Sequence, residues 1–236
     1  MIPYHGTPIT PDVACLAAVK GGHAFVSKER PDQLTLVVEA CKSFAVDNGA
    51  FSAWRAGRPV KDWSEFYEWA DSVRRIPSCD FIVMPDVIDG SEADNDALLA
   101  EWPLPKVCGA PVWHMHESLE RLVRLVNEWP RVCLGSSGEF STVGTEDWWR
   151  RMRVAMLAVC DHMGRPLTKL HGLRMLNPKV YTRLPLASAD STNIARNIGI
   201  DQAWRGTYQP MTKPGRAALM RERIESHNAP PTWRYT

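Results

Sequence analysis

Six ionisable side chains stand at or near the ends of short apolar runs: His5, Asp47, Asp86, His114, His171 and Asp190. Polar groups gather at the carboxyl ends of strands in α/β proteins because ligands sit in the cleft beyond them. Asp190 ends the run Leu186-Ala187-Ser188-Ala189 and passes directly into Ser191-Thr192-Asn193, a polar helix start. Two carboxylates on opposite parts of one rim, Asp47 and Asp190, suit displacement at a sugar anomeric carbon. One attacks the carbon and forms a covalent glycosyl-enzyme, and the other moves protons on the leaving or incoming base. Each acid also has a plain structural use, since an Asp after a strand caps the next helix or closes a turn.

A second chemistry draws on the same residues. His114 and His116 form a His-x-His pair that, with His171 and Asp190, offers donors for metal-assisted hydrolysis of the amidohydrolase kind. Barrels of that kind place the pair after the first strand, whereas here it follows the fifth. The segment Gly135-Ser136-Ser137-Gly138-Glu139 is either a tight turn or a place where a ligand approaches the backbone and an amide meets a carbonyl oxygen.

The elements that must position these groups alternate. Apolar runs at Ile2–Thr7, His23–Ser27, Ser43–Asp47, Asp80–Met84, Pro111–Met115, Val132–Gly135, Lys169–Met175 and Leu186–Asp190 predict eight strands. Between them lie helical spacings such as Phe66, Trp69, Ala70 and Val73, with start signals at Thr10-Pro11, Asp62-Trp63-Ser64-Glu65, Thr145 and Asn177-Pro178. No strand alternates cleanly, as expected when both faces are buried. The pattern predicts a single-domain (β/α)8 barrel over residues 1–201, with a doubly wound open sheet as the alternative. Residues 202–236 change character: prolines accompany Arg205, Lys213, Arg216, Arg221, Arg223 and Arg234, and one helix is expected near Gly215–Ser226.

Composition narrows the setting. The 236 residues carry a net charge of +1, so any polyanion contact must come from a local patch. The 6 cysteines form no Cys-x-x-Cys pair, which fits reduced thiols in a cytoplasmic protein. There is neither an apolar run of membrane-spanning length nor a signal-like start, so no membrane association is expected.

The motifs occur in an order that resembles the tRNA-guanine transglycosylase superfamily, and more closely its short DNA-acting branch of the deoxypurine-in-DNA protein A type. Val46-Asp47-Asn48-Gly49-Ala50-Phe51 is similar to that family's Asp-Ser-Gly-Gly-Phe-Gln segment. Met84-Pro85-Asp86 falls where the family has an acid that reads the guanine edge. Val112-Trp113-His114 falls where it has a strand ending in Gln. Leu134-Gly135-Ser136-Ser137-Gly138-Glu139 resembles its Gly-rich loop, and Ala189-Asp190-Ser191-Thr192-Asn193-Ile194-Ala195-Arg196-Asn197 its nucleophile segment.

The resemblance implies a TIM-barrel pentosyltransferase that exchanges guanine in DNA for a 7-deazaguanine (preQ0-like) base. Asp190 would attack C1′ and Asp47 would serve as general acid/base. Asp86 would accept from the guanine-like N1–H and amino group. Asn48, Phe51, His114, Gly135, Ser136, Gly138, Glu139 and His171 would surround the base. Asn193, Arg196, Asn197, Arg205, Lys213 and Arg216 would hold the DNA, whose target nucleotide is single-stranded or flipped out. No cofactor and no metal are implied. The zinc site of the tRNA enzymes needs three Cys and one His, and no Cys lies beyond Cys160. Close chemical relatives are base exchange on tRNA or nucleosides and simple glycosidase action.

Overall fold

The structure is a computed structural model describing residues 1–234. Its strands are β1 (Ile2–Thr7), β2 (His23–Ser27), β3 (Ser43–Asp47), β4 (Cys79–Val83), β5 (Gly109–Ala110), β6 (Val112–His114), β7 (Arg131–Gly135), β8 (Lys169–Gly172) and β9 (Ser188–Ser191). The helices are α1 (Asp12–Val19), α2 (Leu34–Ala40), α3 (Ala50–Arg55), α4 (Ser64–Val73), α5 (Glu92–Ala100), α6 (Leu119–Glu128), α7 (Glu146–Val159), α8 (Pro178–Tyr181), α9 (Asn193–Asn197) and α10 (Lys213–Glu225).

The sheet order is β5-β4-β3-β2-β1-β9-β8-β7-β6, with every pair parallel. Its two ends, β5 and β6, are halves of one strand interrupted at Pro111. Ala110 O accepts from Met84 N at 3.0 Å on one side, and Pro111 O accepts from Cys133 N at 2.8 Å on the other. The fifth strand thus begins at Gly109, two residues before the expected Pro111, and joins β4 to β7, so the sheet bends round into a single-domain (β/α)8-like barrel. The doubly wound alternative is not what forms.

Side chains on a strand point alternately to its two faces. Tyr4, Phe25, Ala45, Phe81, Val83, Ala110, Val112 and Cys133 cluster inside the barrel. Val26, Phe44, Val46, Ile82, Trp113, Val132, Leu134, Leu170 and Ala189 pack outward under the helices. Both sets are apolar, which hides the period of two in the sequence.

Several helix starts form as read. Thr145 Oγ1 accepts from Trp148 N at 3.4 Å, and Asn177 Oδ1 accepts from Lys179 N at 3.0 Å. Two form differently. Pro11 itself occupies the N-cap of α1, so Thr10 does not cap. Trp63 occupies the N-cap of α4, and Asp62 Oδ1 accepts from Ser64 N at 2.9 Å as a local turn without a reciprocal bond from Glu65. At the other end of the chain, α10 lies against α1 and buries Ala217 and Ile224 in the outer core. Tyr181 Oη donates to Ile224 O, and Arg216 donates to Pro210 O at 2.9 Å and Ile198 O at 3.1 Å. No helix among the described residues is long and apolar enough to cross a membrane.

Candidate active site

Moving two residues up a strand from an interior side chain reaches the next inward position. The step from Phe25, Ala45, Val112, Cys133 and Ser188 leads to Ser27, Asp47, His114, Gly135 and Asp190. All five of these line one cleft of about 650 Å³ at the carboxyl ends of the strands. Asn48, Phe51, Asp86, Ser136 and Arg196 line it as well.

Asp47 stands at the end of β3. Its Oδ2 accepts from Ser27 Oγ at 3.1 Å and from Gly49 N at 3.2 Å. Gly49 turns there with φ +86°, a conformation a side chain disfavours. Burial, with the nearby carboxylates of Asp190 and Asp86 and against the bonds from Ser27 and Gly49, pushes the Asp47 carboxyl up to about 7. An acid tuned there can both give and take a proton near neutral pH.

Asn48 and Asp86 form one unit. Asn48 Nδ2 donates to Asp86 Oδ1 at 2.7 Å and to Met84 O at 2.6 Å, while its Oδ1 accepts from Ala50 N at 2.7 Å. These partners fix which way the amide points and leave Asn48 engaged in holding Asp86. His114 Nε2 lies 2.9 Å from Asp86 Oδ2 without the alignment of a hydrogen bond. The end of β6 is itself held by buried Glu117, whose Oε2 accepts from His114 N at 2.9 Å and from Arg121 Nη1 at 2.6 Å. Gly135 faces this group: a Cβ there would stand 3.1 Å from Val112 Cγ1 and 3.3 Å from His114 Nδ1.

Asp190 ends the inner face of β9 and is 5 % exposed. The loop after β8 folds over it: Arg174 N donates to Asp190 Oδ1 at 2.8 Å, and Leu176 N donates to Asp190 O at 2.9 Å. Arg174 holds φ +59°, in the left-handed region. Its Nη2 donates to Ser136 O at 2.7 Å, and its guanidinium lies 4.2 Å from the Phe51 ring centre. Asp190 Oδ2 has no protein partner among the described residues.

The remaining expected site residues divide. His171 sits beneath the cleft inside the barrel, wholly buried, with Nε2 3.4 Å from Asp190 Oδ1. Gly138 and Glu139 lie exposed in a 3-10 turn over Gly138–Phe140, outside the cleft lining. Asn193 and Asn197 bond to each other at 2.6 Å on α9, whereas Arg205 and Lys213 are exposed. His5 does not join the rim. Tyr4 takes the inward position, so His5 points outward and meets Glu225 Oε1 at 3.0 Å. Nor do the histidines of the hydrolase reading converge: His116 Nδ1 pairs with Ser137 Oγ at 2.8 Å and its Nε2 lies 3.2 Å from Gly90 O. Among the described residues, no three His, Cys, Asp or Glu side chains are grouped to hold a metal ion.

Ser27, Arg30, Arg55 and Arg174 are among the cleft residues that escape the sequence reading. Ser27 alone carried a signal, its place at the end of the run His23–Ser27, whereas Arg174 falls inside the run read as Lys169–Met175. With Arg196, the three arginines border a floor of three carboxylates, Asp47, Asp86 and Asp190. Comparison with protein-family models, curated proteins and solved structures returned no match.

Proposed function

We propose that this protein is a base transglycosylase that replaces guanine in DNA with a 7-deazaguanine through a covalent aspartyl-deoxyribose intermediate. The observation that carries the reading is the meeting in one cleft of Asp47, whose carboxyl burial raises, and Asp190, which is held by the protein through Oδ1. A carboxylic acid and a carboxylate in one cleft are what a double displacement at an anomeric carbon needs.

Asp190 Oδ2 attacks C1′ while the C1′–N9 bond breaks, and the departing guanine takes the proton of Asp47. The incoming base then gives its N9 proton to Asp47 and attacks C1′, which releases Asp190. Asp86, held by Asn48, still has lone pairs for the N1–H and amino group of a guanine-like edge. Phe51 offers a ring face, and the arginine border suits phosphates on either side of an extruded nucleotide.

The test is incubation of a guanine-containing single-stranded oligodeoxynucleotide with the protein, followed by denaturing electrophoresis and nucleoside mass spectrometry with a 7-deazaguanine supplied. A covalent adduct that vanishes in Asp190→Asn, together with exchange of the base, is the expected result. Guanine exchange that survives Asp190→Ala overturns the nucleophile. Free guanine released without any incorporated base would make the protein a glycosidase.

A further inference from the structure

A chain of buried and half-buried polar groups runs up the barrel to Asp190. Near the amino ends of the strands, Tyr4 Oη donates to Asp80 Oδ2 at 2.5 Å, and Arg131 Nη2 donates to the same oxygen at 3.0 Å. Arg131 Nη1 reaches Ser188 Oγ at 3.2 Å, and Ser188 Oγ lies 2.8 Å from His171 Nδ1. The far nitrogen of that ring, Nε2, is 3.4 Å from Asp190 Oδ1. Ser188 and His171 are both fully buried. A transglycosylase needs only two acids and a base reader, so this chain calls for its own explanation.

Hydrogen-bond roles can be assigned along it. Arg131 carries only donors, so it must give a proton to a Ser188 lone pair. The Ser188 hydroxyl proton is then free to go to His171 Nδ1, which accepts it. An imidazole that accepts at Nδ1 carries its own proton on Nε2, facing Asp190. The ring is packed among Tyr4, Phe25 and Phe81, with Phe25 stacked on it at 5.4 Å between centres. The charged groups that face it are Asp190, Arg131 and Asp80. Burial lowers its pKa, against the pull of Asp190, which keeps it neutral.

We infer that His171 is a positioning residue, held by the Arg131–Ser188 contact as the neutral Nε2–H tautomer, which aims Asp190 so that Oδ2 is the attacking oxygen. Arg174 N bonds Oδ1 from the protein side, and His171 Nε2 faces the same oxygen. At 3.4 Å the two atoms lack the alignment of a hydrogen bond, and a small rotation of the carboxylate closes the contact. A neutral donor orients the carboxylate without handing it a proton, so Asp190 keeps its nucleophilic lone pairs.

This inference rests on the base-exchange reading for its kinetic arm alone. The first arm needs no activity: 15N NMR of protein labelled at histidine. The expected signal for His171 is an Nε2–H imidazole with an unprotonated Nδ1, constant from pH 7 to 8, and lost or mixed with the other tautomer in Ser188→Ala. A protonated Nδ1 in the native protein, or an imidazolium forming within that range, overturns the inference. The second arm is single-turnover adduct formation by Ser188→Ala and His171→Phe. Loss of a hydrogen bond to a charged group predicts a slowing of about tenfold to a hundredfold. Oligonucleotide affinity should stay near that of the native protein, melting temperature should fall in Ser188→Ala as Arg131 loses a buried partner, and His171→Gln should recover most of the rate because its amide N–H reaches the Nε2 position. Equal rates in His171→Phe and His171→Gln, with the native protein active, also overturn it. A native protein that forms no adduct fails the base-exchange reading instead, and the tautomer measurement still decides the role of His171.

Discussion

Arg174 adopts φ +59° and donates its backbone N–H to Asp190 Oδ1 at 2.8 Å. A non-glycine residue in the left-handed region costs about 1 kcal/mol, and such strain collects where surrounding contacts over-determine it. Those contacts are the bond to Ser136 O and the Phe51 ring face. One loop residue thus fixes the carboxylate, the β7 end and the aromatic wall together.

That arrangement separates two substitutions. Arg174→Gly keeps the backbone bond to Asp190 and relieves the φ strain. Arg174→Ala loses the same side chain but keeps the strain. Urea denaturation should find the Gly variant more stable than the Ala variant by about 1 kcal/mol, the reverse of the usual order in regular structure. Both should lose cleft function alike, because both lack the guanidinium.

The raised Asp47 carboxyl has a consequence for stability, with a definite sign. Its folded pKa of about 7 exceeds its usual value of 3.8, so between those limits the folded protein holds a proton that the unfolded chain releases. Stability from this residue is therefore full at pH 4 and declines as pH rises toward 7. Asp47→Asn removes the titration while an amide oxygen can still accept from Ser27 and Gly49. The variant should gain stability relative to the native protein over that range, by on the order of 2 kcal/mol once the screening by cleft water is allowed for. Denaturant unfolding at pH 4 and pH 7 measures the difference. Under the proposed function, adduct formation should also fall about tenfold per pH unit above 7, as the proton-donating form is lost.

Much of this was legible in the chain. β1, β2 and β3 occupy the runs read from the sequence, because Pro, Gly and polar residues punctuate them. Asp47, Asp86, His114, Gly135 and Asp190 reach one cleft because parallel strands deliver their carboxyl ends to one face. What could not be read was sidedness. His5 and Asp190 both sit at strand ends, yet the apolar faces on either side of β1 conceal that Tyr4, not His5, points inward. Arg30 lies in a connecting segment and Arg55 at the end of the short α3, neither in a motif, and only the closure of the barrel brings them to the cleft border. Arg131 and Asp80 look like ordinary surface charges around an apolar strand until the interior chain to His171 is traced.

Asn48 should act through Asp86. Its amide bonds Asp86 Oδ1, Met84 O and Ala50 N, with little left for a ligand. Asn48→Ala should cost about 1–3 kcal/mol by orphaning buried polar groups. Asn48→Asp is nearly the same size but sets a second carboxylate against Asp86. It should be the more damaging of the two at pH 7, and its deficit should narrow at pH 4, where the introduced acid can hold a proton and donate it to Asp86. Parallel unfolding curves at the two pH values decide this. A deficit that does not change with pH would mean that the two side chains do not share a charge-sensitive contact.

The arginine border provides a test of what the cleft receives. Arg30, Arg55 and Arg196 line the mouth above an acidic floor, and α9 brings Arg196 from directly behind Asp190. If these cations meet phosphates, each contact releases condensed counterions, and the logarithm of the binding constant falls with the logarithm of salt by about 0.7 per contact on single-stranded DNA. Replacing any one of them with Ala should flatten that slope by nearly one contact and weaken binding uniformly across base sequences. Fluorescence anisotropy with a labelled oligodeoxynucleotide between low and moderate salt reads both effects. Arg216 makes the internal control, since its guanidinium already serves Pro210 O and Ile198 O. Its replacement should lower thermal stability and leave the salt slope where it was. A border whose removal leaves the slope unchanged would point to a small neutral ligand in place of a polynucleotide.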